Sequence, residues 1–199
     1  MDREIKSIYT NLVCIASSTG GPAALMRILP KLDASFPVPI VIVQHIWPGF
    51  TTMLSEDMDK KCALHVCMAK EGTIPLPGNV YFAPAGKHLK IRKVPAHHIF
   101  ELSDEEPVGG VKPSADVLFK SLANCSYSRI TAVVLTGMGT DATEGIIKLS
   151  EYKHVDIIAQ DEASSVVYGM PGSVKSHFPD CRVLPIDRIA DTLKKCQPL

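Results

Sequence analysis

No apolar run in this chain approaches the ~20 consecutive residues that a membrane-spanning helix requires. The amino terminus, Met1-Asp2-Arg3-Glu4-Ile5-Lys6, is charged where a signal peptide needs its apolar centre. A cytoplasmic protein without direct membrane insertion is expected. An excess of one charge is also missing: 21 acidic side chains balance 21 basic ones with no long run of either sign, so no nucleic-acid partner is expected. Paired-cysteine motifs are missing too. The six cysteines are scattered without a CxxC, and Cys14 sits in an apolar run, so reduced thiols are expected rather than a disulfide framework. Cys62, His65 and Cys67 have no second ligand pair at finger-like spacing, so no metal is expected, and no cofactor. Repeats, linkers and low-complexity tracts are lacking as well. With 46% hydrophobic residues, positions 1–199 are expected to form one domain with a substantial core.

What is there is an alternation of buried-strand runs and amphipathic helices. Val38–Val43 is apolar on both faces, as a central strand of a helix-covered parallel sheet should be. Leu12–Ala16, Thr131–Leu135 and Val155–Gln160 are further strands of the alternation, while Val80–Ala83 is a short run within the Gly72–Ser103 stretch of turns and short strands. A further short strand is expected at His65–Met68. Between the runs, apolar residues recur at helical spacing from Ala23 to near Leu29, from Thr51 to Lys61, after Ser114, through Ile146 and Leu149, after Pro171, and from Asp187 to Cys196. Ser18 or Thr19, Thr51 and Ser114 are the expected caps. Leu89–Arg92 and His98–Leu102 alternate like half-exposed strands joined by a hairpin at Val94-Pro95-Ala96-His97, with His97 and His98 read as surface residues. The expected fold is α/β: a doubly wound, mostly parallel sheet with helices on both faces and a small antiparallel hairpin excursion.

Three strand ends carry reactive residue types. Ser18 follows the first strand, His45 the second, and Asp141 the turn Gly137-Met138-Gly139-Thr140 after Leu135. Open α/β sheets assemble their sites at this edge. A serine hydroxyl needs a base to take its proton, histidine serves as that base, and a carboxylate on the other ring nitrogen fixes its tautomer. Asp141 followed by Glu144 is equally the pattern of a helix-capping pair. Asp116 likewise suits the first turn of its own helix. Backbone N–H groups around Met138 could meet an oxyanion.

The ordered set Ser18-Thr19-Gly20-Gly21, Gln44-His45 with Pro48-Gly49-Phe50-Thr51, Ala83-Pro84 with His88, Pro113 to Phe119, Leu135 to Gly139 with Asp141, and Ala159 to Ser164 with Gly169-Met170-Pro171 resembles the catalytic domain of the chemotaxis protein-glutamate methylesterases. The resemblance implies a serine esterase with Ser18 as nucleophile, His45 as base and Asp141 as its partner. It implies oxyanion contacts from the backbone of Thr19, Met138 and Gly139, and substrate contacts from Thr19, Gln44 and Met170. The implied partners are the methylated cytoplasmic helices of chemoreceptors, and the products glutamate and methanol. Some members also deamidate receptor glutamines.

The chain departs from that pattern at Ala16-Ser17, where Gly-Ala is usual, at Thr140 and Ala142, where Asn and Gly are usual, and at Lys112, where arginine is usual. An alanine at either glycine position is harmful if the backbone there needs positive φ. Ser17 also competes with Ser18 for the nucleophile's place. Two other readings stand beside the esterase: an inactive methylesterase-like binding module, and an anion- or nucleotide-binding α/β protein using Ser18–Gly21. That last stretch lacks both the GxGxxG spacing and the GK[ST] ending. Family members carry an amino-terminal receiver domain that masks the site, whereas this chain reaches its first strand near Leu12. A stand-alone domain is therefore expected, with a separate receiver-domain protein as its conceivable regulator.

Overall fold

The computed structural model describes residues 11–195. Nine strands are defined among them: β1 (Asn11–Ser17), β2 (Ile40–Gln44), β3 (His65–Met68), β4 (Asn79–Phe82), β5 (His88–Lys93), β6 (His98–Ser103), β7 (Arg129–Val134), β8 (Val155–Gln160) and β9 (Arg182–Leu184). Six α-helices accompany them: α1 (Gly21–Ile28), α2 (Phe50–Asp59), α3 (Ala115–Ser121), α4 (Thr143–Ser150), α5 (Gly169–His177) and α6 (Ile186–Leu193). Seven strands make one sheet in the order β3-β4-β2-β1-β7-β8-β9, and every neighbouring pair is parallel. β5 and β6 form the antiparallel hairpin. The chain builds outward from β1 through β2, then crosses to β7 on the other side of β1. That reversal opens a crevice at the carboxyl ends of β1 and β7, the place where such sheets hold ligands.

Period-two alternation sends successive residues to opposite faces. Leu12, Cys14 and Ala16 pack with Leu118, Phe119, Ile146 and Val174 of α3, α4 and α5. Val13 and Ile15 pack with Leu25, Ile28, Met58 and Ile189 of α1, α2 and α6. The hairpin adds Leu89, Ile91 and Phe100 to the first of these cores. Burial pushes the Cys14 thiol far above its usual range, as for an inert apolar residue. The five cysteines among the described residues are free thiols. No helix of the described residues is long and apolar enough to cross a membrane.

Several local expectations are corrected. Neither Ser18 nor Thr19 caps α1, because Gly20, at φ 82°, occupies the cap position without a side-chain bond. Gly49, at φ 92°, likewise precedes α2, and Thr51 is a buried residue inside that helix. Glycine adopts the positive φ that a hydroxyl residue cannot reach without strain, and here it stands immediately before each helix. The three-residue β9 lay below the length at which alternation can be recognised. The end of the predicted closing helix at Cys196 lies outside the described residues.

His98 is not a surface residue. It is buried, accepts a hydrogen bond from the Ser126 N–H at 2.9 Å and stacks on Tyr127 with ring centroids 4.3 Å apart. Burial, and then the positive charges of Lys93 and its neighbours, lower its pKa to about 4. Between the ordinary histidine value of 6.5 and about 4, the unfolded chain binds a proton that the folded chain refuses. Stability is therefore expected to fall as pH drops through that window, by on the order of 3 kcal/mol. Urea unfolding at several pH values checks this: His98→Gln should flatten the slope by about one proton.

Candidate active site

The end of β1 places Ser18 and the end of β2 places His45. Ser17 and Gln44 are register partners, so Ser18 and His45 are the next residues out on adjacent strands. Two backbone bonds fix the junction: the His45 N–H donates to the Ser17 carbonyl and the Ser18 N–H to the Thr136 carbonyl, each at 3.0 Å. His45 Nε2 lies 2.7 Å from Asp141 Oδ2, with only about a tenth of either side chain exposed. With Nε2–H given to Asp141, the Nδ1 lone pair is the ring's remaining acceptor, and among the described residues no side-chain bond yet joins it to Ser18.

Asp141 does more than meet His45. Its carboxylate accepts from Ser114 Oγ at 2.7 Å and from the backbone N–H groups of Ala115 and Asp116 at 2.7 and 3.0 Å. It thus caps α3 from a distant loop, and Ser114, expected as that helix's cap, is instead a donor to Asp141. Burial opposes the Asp141 charge, but the bond from His45, followed by those from the α3 terminus, holds its carboxyl below the ordinary carboxylate range. Asp116 returns the arrangement by accepting the Gly145 N–H of α4 at 2.6 Å. Burial raises the Asp116 pKa, that bond works against the rise, and the Asp141 charge adds to it. The two helices therefore cap each other, and Asp141 with Glu144 is no capping box, since Ala142 holds the α4 cap position. His88, quoted only as part of a motif, is buried and accepts the Ser114 N–H at Nδ1. Nothing in the local sequence around Ser114 or His88 signals these long-range bonds.

The remaining candidates divide. Thr19, Met138 and Gly139 are exposed around the crevice, and among the described residues their backbone N–H groups donate to no protein acceptor. Gln44 does not face the crevice. It is buried, its Oε1 accepts from Ser17 Oγ at 2.7 Å, and its Nε2 donates to the carbonyls of Ser18 and His45, both at 2.9 Å. Gly21 is what admits that amide, since a Cβ there would stand 2.0 Å from Oε1. Met170 is also buried, packed beneath Gly137, where a Cβ would lie 2.3 Å from its sulfur. Both were expected to touch substrate, and both support the turns instead. Ser17 is buried with its hydroxyl committed to Gln44, which leaves Ser18 as the serine at the crevice.

A family model described as CheB methylesterase matches residues 13–193. The chain belongs to the CheB methylesterase family. A protein-glutamate methylesterase/protein-glutamine glutaminase of Desulfotalea psychrophila is 41% identical over 194 residues, covering 96% of this chain and 53% of that relative. One from Myxococcus xanthus is 47% identical over 163 residues, covering 82% of this chain and 45% of its own length. The chain thus spans about half the length of the curated relatives it matches. The crystal structure of the Thermotoga maritima CheB methylesterase catalytic domain superposes with a TM-score of 0.90 at 38% identity, covering 94% of this chain and 99% of that one.

Against the family pattern, the departures differ in weight. Ala16 lies inside β1, and no positive φ occurs there, so its Cβ is accommodated. Ala142, at φ 92°, is the one non-glycine residue of the described chain with positive φ. A Cβ in that region costs about 1–2 kcal/mol. Thr140 is exposed, and its carbonyl accepts from the Thr143 N–H. Lys112 places its ammonium 2.8 Å from the Asp104 carbonyl.

Proposed function

We propose that this chain is a serine esterase that hydrolyses glutamate methyl esters on chemoreceptor helices, with deamidation of receptor glutamines as a second outcome of the same attack. The observation that carries the reading is the 2.7 Å contact of His45 with Asp141, beside a half-exposed Ser18 on the adjoining strand end. In the proposed reaction Ser18 Oγ attacks the ester carbonyl carbon while His45 Nδ1 takes its proton. The carbonyl oxygen becomes an oxyanion facing the free N–H groups of Thr19, Met138 and Gly139. Collapse breaks the bond to the methoxy oxygen, which leaves as methanol with the proton from His45. Water, deprotonated by His45, then releases glutamate from Ser18. Asp141 holds the imidazole and balances its transient positive charge. Methanol release from a methylated receptor preparation tests this; no release by folded protein would favour the binding-module reading.

Within this reading Gln44 is a positioning residue, because one amide ties the carbonyls of both nucleophile and base. Gln44→Glu keeps the shape but turns an acceptor toward those carbonyls. It is expected to lower kcat by about 10²-fold, the scale of a small misplacement of reacting groups. KM for a small methyl ester should change little. Ser17→Ala leaves both carbonyl bonds in place and should cost far less. Comparing kcat and KM of the two variants provides the check, and an effect confined to KM would refute it.

A further inference from the structure

We propose that His88 is a positioning residue for the reaction: from the start of β5 it holds the beginning of α3, and through it the Asp141 carboxylate that orients His45. The inference rests on the esterase reading above. His88 is fully buried, and both of its ring nitrogens are committed. Nδ1 accepts the Ser114 N–H at 3.2 Å, so Nε2 is the protonated nitrogen, and its N–H donates to the Glu106 carbonyl at 3.0 Å. One tautomer alone satisfies both contacts.

The place of Ser114 is what separates this contact from that of an ordinary satisfied core histidine. Pro113 has no N–H, so the Ser114 N–H is the last donor before the helix, and His88 fixes the plane of that peptide. Ser114 is extended, at φ −113° and ψ 135°, and the helix start turns with it. Besides His45, the groups that donate to Asp141 follow at once: Ser114 Oγ and the N–H groups of Ala115 and Asp116. A rotated Ser114 peptide therefore moves those donors together and carries Asp141 with them. The hairpin is a firm anchor because it grips α3 at both ends. Beyond His88, the Ile91 N–H donates to Ser121 Oγ at 3.0 Å, where the helix ends, and Leu89 and Ile91 share a core with Leu118, Phe119 and Leu122. The Gly86 N–H also reaches this segment, at the Lys112 carbonyl, but that bond lies before Pro113 and does not set the Ser114 peptide. The Glu106 bond has companions, since the ion pairs of Lys87 with Asp104 at 2.9 Å and Lys90 with Glu105 at 2.7 Å fasten the same loop to the hairpin.

The test uses two substitutions in the intact chain that each keep one of the two bonds. The side-chain oxygen of Asn reaches the place of Nδ1 and accepts there, whereas the amide nitrogen of Gln reaches the place of Nε2 and donates. His88→Asn should therefore keep the Ser114 bond, with a kcat for methanol release from methylated receptor within about threefold of wild type. His88→Gln should lose that bond and about 10²-fold in kcat with KM within about twofold, the scale of a small misplacement of reacting groups. A purely structural role predicts equal damage, because each variant breaks one bond, and their thermal melts should indeed fall by similar amounts. In proton NMR, the hydrogen shared by His45 and Asp141 should keep its low-field position in His88→Asn and leave it in His88→Gln. Ring-nitrogen shifts of the wild type should show His88 protonated at Nε2. Equal kcat losses in the two variants, an effect confined to KM, an unmoved His45 proton in His88→Gln, or a wild-type ring protonated at Nδ1 would each overturn the role. If His88→Gln does not fold, the wild-type tautomer and His88→Asn still decide, since a folded Asn variant with kcat down about 10²-fold refutes it. A wild type that releases no methanol would instead overturn the esterase reading, and the His45 proton would then judge His88 by itself.

Discussion

Ser18→Ala is expected to cut methanol release by about five to six orders of magnitude while leaving thermal stability almost unchanged. The activity loss follows from removing the atom that forms the acyl bond; what remains is whatever the oxyanion donors and binding provide. The stability result follows from its surroundings. Ser18 is half-exposed and its hydroxyl makes no side-chain bond among the described residues, so a methyl group strands nothing. Its backbone N–H bond to Thr136 is untouched. His45→Ala should lose activity on a similar scale, since a serine without its base fails as completely as a base without its serine. Methanol assays beside a thermal melt measure both effects. Activity abolished by Ser17→Ala but spared by Ser18→Ala would move the nucleophile one residue back.

Asp141→Ala is expected to damage both function and fold. The kinetic loss should be smaller, about 10⁴-fold, because this carboxylate orients the base without carrying the transferred proton. The fold pays separately. Truncation strands the His45 Nε2–H, the Ser114 hydroxyl and the N–H groups of Ala115 and Asp116 in a partly buried cluster. Leaving such donors unmatched costs about 2–4 kcal/mol, or roughly 5–15 °C in Tm for a chain of this size. The sign of the pH dependence follows from the lowered Asp141 pKa. Its contribution is fully present above the ordinary carboxylate value of 3.8 and is lost as pH falls through the lower folded value. Wild type and Asp141→Ala should therefore converge in stability in strong acid. A variant that loses activity with an unchanged melt at neutral pH would show that the α3 terminus does not depend on this carboxylate.

The strands and helices were legible because their signals are local. Runs such as Val13-Cys14-Ile15 and Ile40-Val41-Ile42 are continuously apolar, and the face of α1 repeats at 3.6, so a short window contains the information. The strand ends were legible for the same reason, since Ser18 and His45 stand just past apolar runs and Asp141 just past the turn that follows Leu135. Only the tertiary structure decided which loops meet. Asp141 caps α3 and Asp116 caps α4 across 25 or more positions of chain, so no local pattern could distinguish those carboxylates from ordinary caps of their own helices. Gln44 turned inward because Gly21 leaves room beside Ser17, and His98 became buried because Tyr127 and the Ser126 N–H lie against it. Hydrogen-bond partners and burial depend on the contacts made when the sheet is assembled, and sheet order brings together residues that sequence spacing keeps apart.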